Sequence, residues 1–427
     1  MAQYKKNRHS GFRAAPKVNK KRLKQNKDRE DILMTSSKTQ KPRKNMKVVK
    51  GKKLEAQRRF KRFSLAALVI IAVLLICEWC IPAGVIESLS NMVATVGSGS
   101  YPISLESSTT LNTVSKGSYY YVLTGSSIEA YSSGGKRIFT HSHGFEKPVL
   151  KTSKTRAIVF GQNSTDVLIF NLGGLKSTIE TKEKIKTAAI GDDGSYALVT
   201  ADDNYAAKVS VYKKNGKIMY EWFSSKDLVN NVALSPNGNK IAVSTVNSAV
   251  GTYNSKLLCL NFRSSSPEYQ KNYENTLIYT LDTSFMGGFS VLTDNGHDFI
   301  KWSNYKIRDY KNDYTTAMFR SGAGGIAVVY NRENDKTDNR IAVFSTSGKL
   351  KYELKFKGII TDFALKDGHI YTLSDSKVYI LSNDGSIMRS AEYGFGAVRI
   401  CPLGHSTAAV ITDNSITRIK LEQGENK

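Results

Sequence analysis

The spacing of hydrophobic and polar residues changes character twice along this chain. Over residues 1–62 the apolar side chains (Leu23, Ile32, Leu33, Met34, Val48, Val49 and Leu54 among them) are scattered without period. They are too few to bury a core against the entropy of ordering the segment. From Leu65 to Cys77 every residue is uncharged, and the apolar run goes on through Trp79, Ile81, Pro82, Val85 and Ile86 with Glu78 as its one charge. Beyond Asn91 the period becomes two: short runs rich in Val, Ile, Ala and Tyr alternate with Gly-bearing turns. This pattern predicts a largely disordered tail, one apolar helix and an all-β domain.

A helix needs roughly 20 residues to cross a bilayer. Ser64 to Ile86 reaches that length if Glu78 sits near the far headgroups, with Trp79 beside it in the interfacial belt. A cleaved signal peptide begins with a short basic region, whereas some sixty residues precede this run. Leu74-Leu75-Ile76-Cys77 has a lipoprotein-like outline, but Ile76 is too bulky for that processing. The reading is an uncleaved signal anchor.

Charge then gives the expected orientation. Residues 1–62 hold 23 Lys or Arg against four acids, a net of +19 out of +25 for the whole chain. Basic residues beside a span stay cytoplasmic, so the domain after it is expected outside. The expected organisation is a basic cytoplasmic tail (1–62), a transmembrane signal-anchor helix with a juxtamembrane segment (63–90), and an extracytoplasmic β-domain (91–427). The expected location is the cell membrane, crossed once. The tail reads first as an orientation signal, with Lys47, Lys50, Lys52 and Lys53 suited to anionic lipid. Nucleic acid is disfavoured, because Tyr4, Phe12 and Phe60 are isolated rather than interleaved with the basic residues.

The β-domain repeats itself. Thr187-Ala-Ala-Ile-Gly-Asp-Asp-Gly, Asn231-Val-Ala-Leu-Ser-Pro-Asn-Gly and Thr361-Asp-Phe-Ala-Leu-Lys-Asp-Gly are copies of one strand-turn unit. Their Asp-Gly and Asn-Gly pairs suit tight turns because they tolerate positive φ. A second hairpin follows each: Val209-Ser-Val-Tyr-Lys-Lys-Asn-Gly-Lys matches Ile341-Ala-Val-Phe-Ser-Thr-Ser-Gly-Lys. Two hairpins per unit of about 40 residues make a four-stranded propeller blade. Units begin near Leu111, Lys147, Ile185, Asn230, Leu277, Thr315, Ile359 and Ala397, which predicts an eight-bladed β-propeller, with seven blades as the alternative. The last unit has only three strands, so Tyr101 to Glu106 is expected to supply the fourth and close the ring. Arg263 to Asn275 reads as a divergent insertion.

The motif at Val209 to Trp222 resembles the repeat of PQQ-like propellers, a group holding quinone-dependent dehydrogenases and non-enzymatic envelope scaffolds. Some Asp/Asn-Gly turns resemble WD40 repeats, and the whole layout is similar to membrane-anchored propeller proteins of Gram-positive bacteria. The resemblance implies a fold and leaves the chemistry open. The quinone enzymes use repeated Trp positions and a vicinal disulfide. This chain has three Trp and no adjacent Cys pair, so no quinone cofactor is expected.

No other constellation specifies catalysis. His141-Ser-His143 places two imidazoles on one strand face without an evident third ligand. His369 and His405 follow turn glycines. The loop Asn331 to Asn339 is acidic enough for calcium, but Lys336 stands where an EF-type loop needs Gly. Cys259 and Cys401 lie in strand patterns as small apolar residues, and Cys77 and Cys80 lie in or beside the span. No catalytic, cofactor-binding or metal-ligating residue is therefore assigned. The expected function is a non-catalytic platform for envelope proteins or cell-wall polymer, and the alternative is a hydrolase or lyase with its site in the central funnel.

Overall fold

The computed structural model describes residues 83–105, 109–249, 251–283, 287–322 and 324–423, together with Ser64. The basic tail with Lys47, Lys50, Lys52 and Lys53, the apolar run from Leu65 to Pro82, and Cys77 and Cys80 lie outside the described residues. The chain divides into two compact units, Met1–Ile76 and Cys77–Lys427, and the description below concerns the second. Among the described residues no helix is long and apolar enough to cross a membrane.

The second unit is an eight-bladed β-propeller with one four-stranded antiparallel sheet per blade. The blades span residues 110–142, 148–180, 185–224, 228–273, 278–311, 315–357, 360–392 and 399–420. Each therefore begins within two residues of its sequence-based start. The eighth sheet is completed by the strand Ile103–Ser104, with Ile103 opposite Ile416 and Ser104 opposite Ser415. The Leu105 amide adds a bond to the Asn414 carbonyl at 2.9 Å. A two-residue strand, Glu422–Gln423, then pairs with the outer strand of blade 7. Segments before the first blade and after the last are thus both fastened into the ring.

Two-sided burial explains why the second and third strands of most blades are apolar without interruption. In Tyr119–Thr124 all six residues are buried. Tyr119, Tyr121 and Leu123 face blade 2, while Tyr120 and Val122 face blade 8. The same division by period two runs around the ring, giving one hydrophobic cluster at each of the eight blade interfaces. The cluster that closes the ring joins Ile103, Leu105, Tyr120 and Tyr131 to Cys401, Ala409, Ile411 and Ile416.

Two sequence expectations are corrected. Arg263 to Asn275 is not an insertion: Tyr269–Tyr273 is the outer strand of blade 4, paired with Ser255 to Cys259. Its alternating exposure let polar Gln270 and Asn272 disguise it. Asn331 to Asn339 is not a loop but the crown of a hairpin, with Asn331 opposite Asn339 and Arg332 opposite Asp335.

The connections define two faces. The turn face carries the turns between first and second and between third and fourth strands. The hairpin face carries the turns between second and third strands and the links between blades. Helix α1 (Ala83–Ala94) packs on the turn face. Its Glu87 carboxylate accepts from Arg156 Nε at 2.9 Å and from the Thr155 hydroxyl at 3.2 Å. Asn91 Nδ2 donates to the Thr155 carbonyl at 3.1 Å, and Lys136 Nζ donates to the carbonyls of Ala94 and Val96. Burial raises the Glu87 pKa, but the Arg156 guanidinium, with the Thr155 hydroxyl and the Lys214 charge, outweighs it and holds the carboxyl below its usual range.

Ring closure is testable through Ile103, which is 9% exposed in the closing cluster. Ile103→Asp puts an unpaired carboxylate there and should cost roughly 3 kcal/mol or more, read as a lower urea midpoint. An unchanged midpoint would mean that the short strand contributes nothing to closure.

Candidate functional site

Blades 4 and 6 break the regular blade outline. The second and third strands of blade 4, Lys240–Ala249 and Thr252–Asn261, are ten residues each, against six in blades 1, 2 and 5. Blade 6 is extended in the same way by Gly325–Arg332 and Asp335–Phe344. Both hairpins rise on the hairpin face and flank blade 5, whose own link between second and third strands is the short Asp294-Asn295 turn.

Beside the blade 4 hairpin lies a pocket of about 420 Å³ lined by Asn247, Thr252, Asn254, Ser255, Lys256, Asn272, Tyr273, Glu274 and Asn275. Several of these groups hold the pocket in shape. Asn247 donates to Asp227 at 2.9 Å and Lys256 approaches the same carboxylate at 3.4 Å. Together they keep Asp227 below the usual carboxylate range. Asn254 Oδ1 accepts the Asn275 amide at 3.0 Å, and Ser255 Oγ accepts the Ile278 amide at 3.1 Å. The outer-strand segment that reads as an insertion in the sequence thus lends Asn272 to Asn275 to this pocket.

Large apolar side chains are also exposed on the hairpin face. Leu111, Leu228 and Tyr279 stand at the starts of innermost strands, and they are 37%, 61% and 43% exposed. Ile359 and Phe395 lie on links between blades at 54% and 96%, and Tyr253 near the blade 4 hairpin tip is 60% exposed.

The central channel has a different chemistry. Lys116 from blade 1, Lys151 from blade 2 and Asp282 from blade 5 lie deep in the ring, enclosed by protein yet with some surface open to the lumen. Burial lowers the pKa of both lysines, partly opposed by the Asp282 charge. Burial likewise raises Asp282, against the Ser321 hydroxyl and the two ammonium groups. The set comprises one carboxylate and two cations, with no imidazole. Sequence reasoning missed it. The available signal was a charged residue inside or just after an otherwise apolar first strand, but only the ring brings residues so far apart together.

The histidines are not gathered. His141 packs on Phe170 at 5.3 Å and His143 on Phe145 at 5.4 Å between ring centres. His405 comes to 3.9 Å from Asp367, in the turn next to His369. Burial holds His297 neutral, with its pKa down to about 4, against Phe344. Among the described residues no group of three or more His, Cys, Asp or Glu is placed to hold a metal ion. Cys259 and Cys401 are buried free thiols with pKa pushed up to about 12, which suits packing rather than reactivity.

This geometry is that of a closed propeller with one elaborated face. Residues 98–421 match the model of the family of unknown function DUF5711, and the chain belongs to that family. No curated protein matches the sequence. Among solved structures, the C-terminal WD40 domain of Sif2 is similar at 10% identity and a TM-score of 0.51, covering 76% of this chain and 100% of that one. BamB from Moraxella catarrhalis aligns at 11% identity and a TM-score of 0.46, covering 76% and 99%. At such identity the likeness to the WD40 domain concerns the fold alone.

The channel charges give a pH test. Asp282 is raised in the folded state, so its ionisation costs stability as pH climbs from the usual 3.8 through the raised value. Asp282→Asn removes that cost and should raise Tm at pH 7.5 by on the order of 1–2 °C, with the gain shrinking as pH falls toward 4. A lower Tm at pH 7.5 would mean that attraction to Lys116 and Lys151 exceeds the burial penalty.

Proposed function

We propose that this chain is a non-catalytic, membrane-anchored platform whose hairpin face binds a protein partner at the outer surface of the cell membrane. The observation that carries the reading is a set of exposed large side chains on the hairpin face, with Leu228, Tyr253 and Tyr279 by the blade 4 hairpin, Ile359 by the blade 6 hairpin, and Leu111 and Phe395 farther round the ring. Exposed tyrosines such as Tyr253 and Tyr279 are side chains that protein interfaces favour. The ring is closed through eight interfaces, so that face is a rigid base for binding loops.

The anchor follows from the sequence: the uncharged run from Leu65, the basic tail before it and the orientation rule for basic residues. Helix α1 supports it, because a chain arriving from such an anchor meets the ring on the face opposite the hairpins. Cell-wall polymer is the second ligand class, favoured by the amide-lined pocket at Asn254 and Asn272. The enzyme alternative retains one observation, the shifted Lys116, Lys151 and Asp282 in the channel. The other carboxylate that acts on Lys116, Asp192, is engaged by Lys154 at 3.1 Å rather than free to serve as acid or base.

Photo-crosslinking in living cells tests the platform. A crosslinking residue at Tyr253 or Phe395 should capture one reproducible protein, and the same residue at Leu175, outside the hairpin face, should not. Equal capture at all three sites, or turnover by the purified protein that Asp282→Asn abolishes, would sink the proposal. Topology is tested separately: protease added to intact protoplasts should digest the propeller and spare residues 1–62. Protection of the propeller would reverse the orientation.

A further inference from the structure

Helix α1 is amphipathic in the reverse of the usual sense. A surface helix ordinarily buries its apolar stripe and shows polar residues to water. Here Glu87, Asn91 and Ala94, spaced at i, i+4 and i+7, face the ring, where Asn91 is 5% exposed. Leu89, Met92 and Val93 point away at 55%, 67% and 71% exposure, and Val96 just past the helix end continues the stripe at 67%. At about 3.6 residues per turn the two stripes lie on opposite sides of the helix. The polar side is fixed by Arg156 and the Thr155 carbonyl, so the apolar side cannot roll inward.

Two observations identify what covers that stripe. First, α1 begins at Ala83, inside the final residues of the apolar run that starts at Leu65. Second, a basic turn flanks α1. Lys213, Lys214 and Lys217 are exposed on the third-to-fourth-strand turn of blade 3, and the Lys214 charge reaches Glu87. The neighbouring acids are engaged locally, Asp192 with Lys154 at 3.1 Å and Asp193 with the Ser195 hydroxyl. An apolar stripe bordered by lysines matches a bilayer surface, with acyl chains under the stripe and anionic headgroups around it. A second copy fits less well, because four side chains on one short helix fall far short of the roughly 800 Å² per partner of a stable interface.

We propose that the Leu89, Met92, Val93 and Val96 face of α1 lies in the headgroup region of an anionic bilayer, with the turn face of blades 1 to 3 toward the lipid. The inference rests on the membrane anchoring proposed above and adds the side of the ring that meets the membrane. The hairpin face then points away from the bilayer.

The test uses the full chain with Cys77→Ser and Cys80→Ser, reconstituted in vesicles of phosphatidylcholine and phosphatidylglycerol. An environment-sensitive dye is placed at Met92→Cys or, as the distal reference, at Tyr253→Cys. The dye at position 92 should emit to the blue and be quenched several-fold more by nitroxide-bearing lipid than the dye at 253. Replacing Lys213, Lys214 and Lys217 by Gln should reduce that quenching. Three results would overturn the inference. A water-exposed dye at 92 on protein that floats with the vesicles would defeat it and leave the anchor standing. A blue-shifted dye untouched by lipid quencher would mean that protein covers the stripe. Protein that does not float with vesicles would defeat the anchoring as well.

Discussion

Everything in this propeller depends on the burial of each blade from both sides. A four-stranded sheet alone would leave two apolar faces in water. Here Val209 and Val211 in blade 3 pack against Val229, Val232 and Leu234 of blade 4. Their strand neighbours Tyr196 and Leu198 turn the other way, to Ile158 and Phe160 of blade 2. No blade has a core of its own, so each interface is stable only if the next one forms. The ring must therefore close, and the first and last strands must meet.

Hydrogen bonds at the inner strands reinforce that constraint. Arg320 of blade 6 pairs with Asp362 of blade 7, which is 1% exposed, and the other Asp362 oxygen accepts the Ile400 amide of blade 8 at 2.9 Å. Arg399 of blade 8 donates to the Leu111 carbonyl of blade 1 at 2.7 Å. Asn230 of blade 4 donates to the Ile278 carbonyl of blade 5 at 2.8 Å. These bonds answer backbone groups that the inner edge of a blade would otherwise leave without a partner in its own sheet. They also fix the angular position of each blade, which apolar contact alone would leave free to slide.

The blades were legible in the sequence for the same reason that they are stable. Period-two runs such as Tyr119 to Thr124 and turn glycines such as Gly194 and Gly238, both at positive φ, recur at blade spacing. What escaped lies where burial stops dictating residue type. The blade 6 hairpin crown can be Asn, Arg, Glu and Asp because it stands above the core, where pairing needs only backbone. Tyr269–Tyr273 reads as irregular because an outer strand is only partly buried, with Tyr269 and Tyr273 turned to the core and Gln270 and Asn272 to water. The channel trio was illegible for a different reason, since only closure brings Lys116 and Lys151 within electrostatic reach of Asp282. The pocket beside the blade 4 hairpin was half visible: residues 272–275 belong to a segment that reads as unusual, while Asn247 and Asn254 sit in what reads as ordinary strand.

This division of constraint explains how one fold carries distinct surfaces. The interfaces between blades admit few residue types, so variation collects in the turns, and the ring sorts turns onto two faces by strand order alone. On the hairpin face the longer connections of blades 4 and 6 add height, hydrogen-bonding groups and exposed aromatic rings. On the turn face the connections stay short, and what they add is charge: Arg156 to seat Glu87, and lysines around it. The Glu87–Arg156 pair is the point where these roles meet. It fixes a polar stripe of α1 on the ring and thereby obliges the apolar stripe to face outward. A helix whose apolar residues are held outward in water is unfavourable in isolation, and that cost is relieved only by a neighbour the ring itself does not supply.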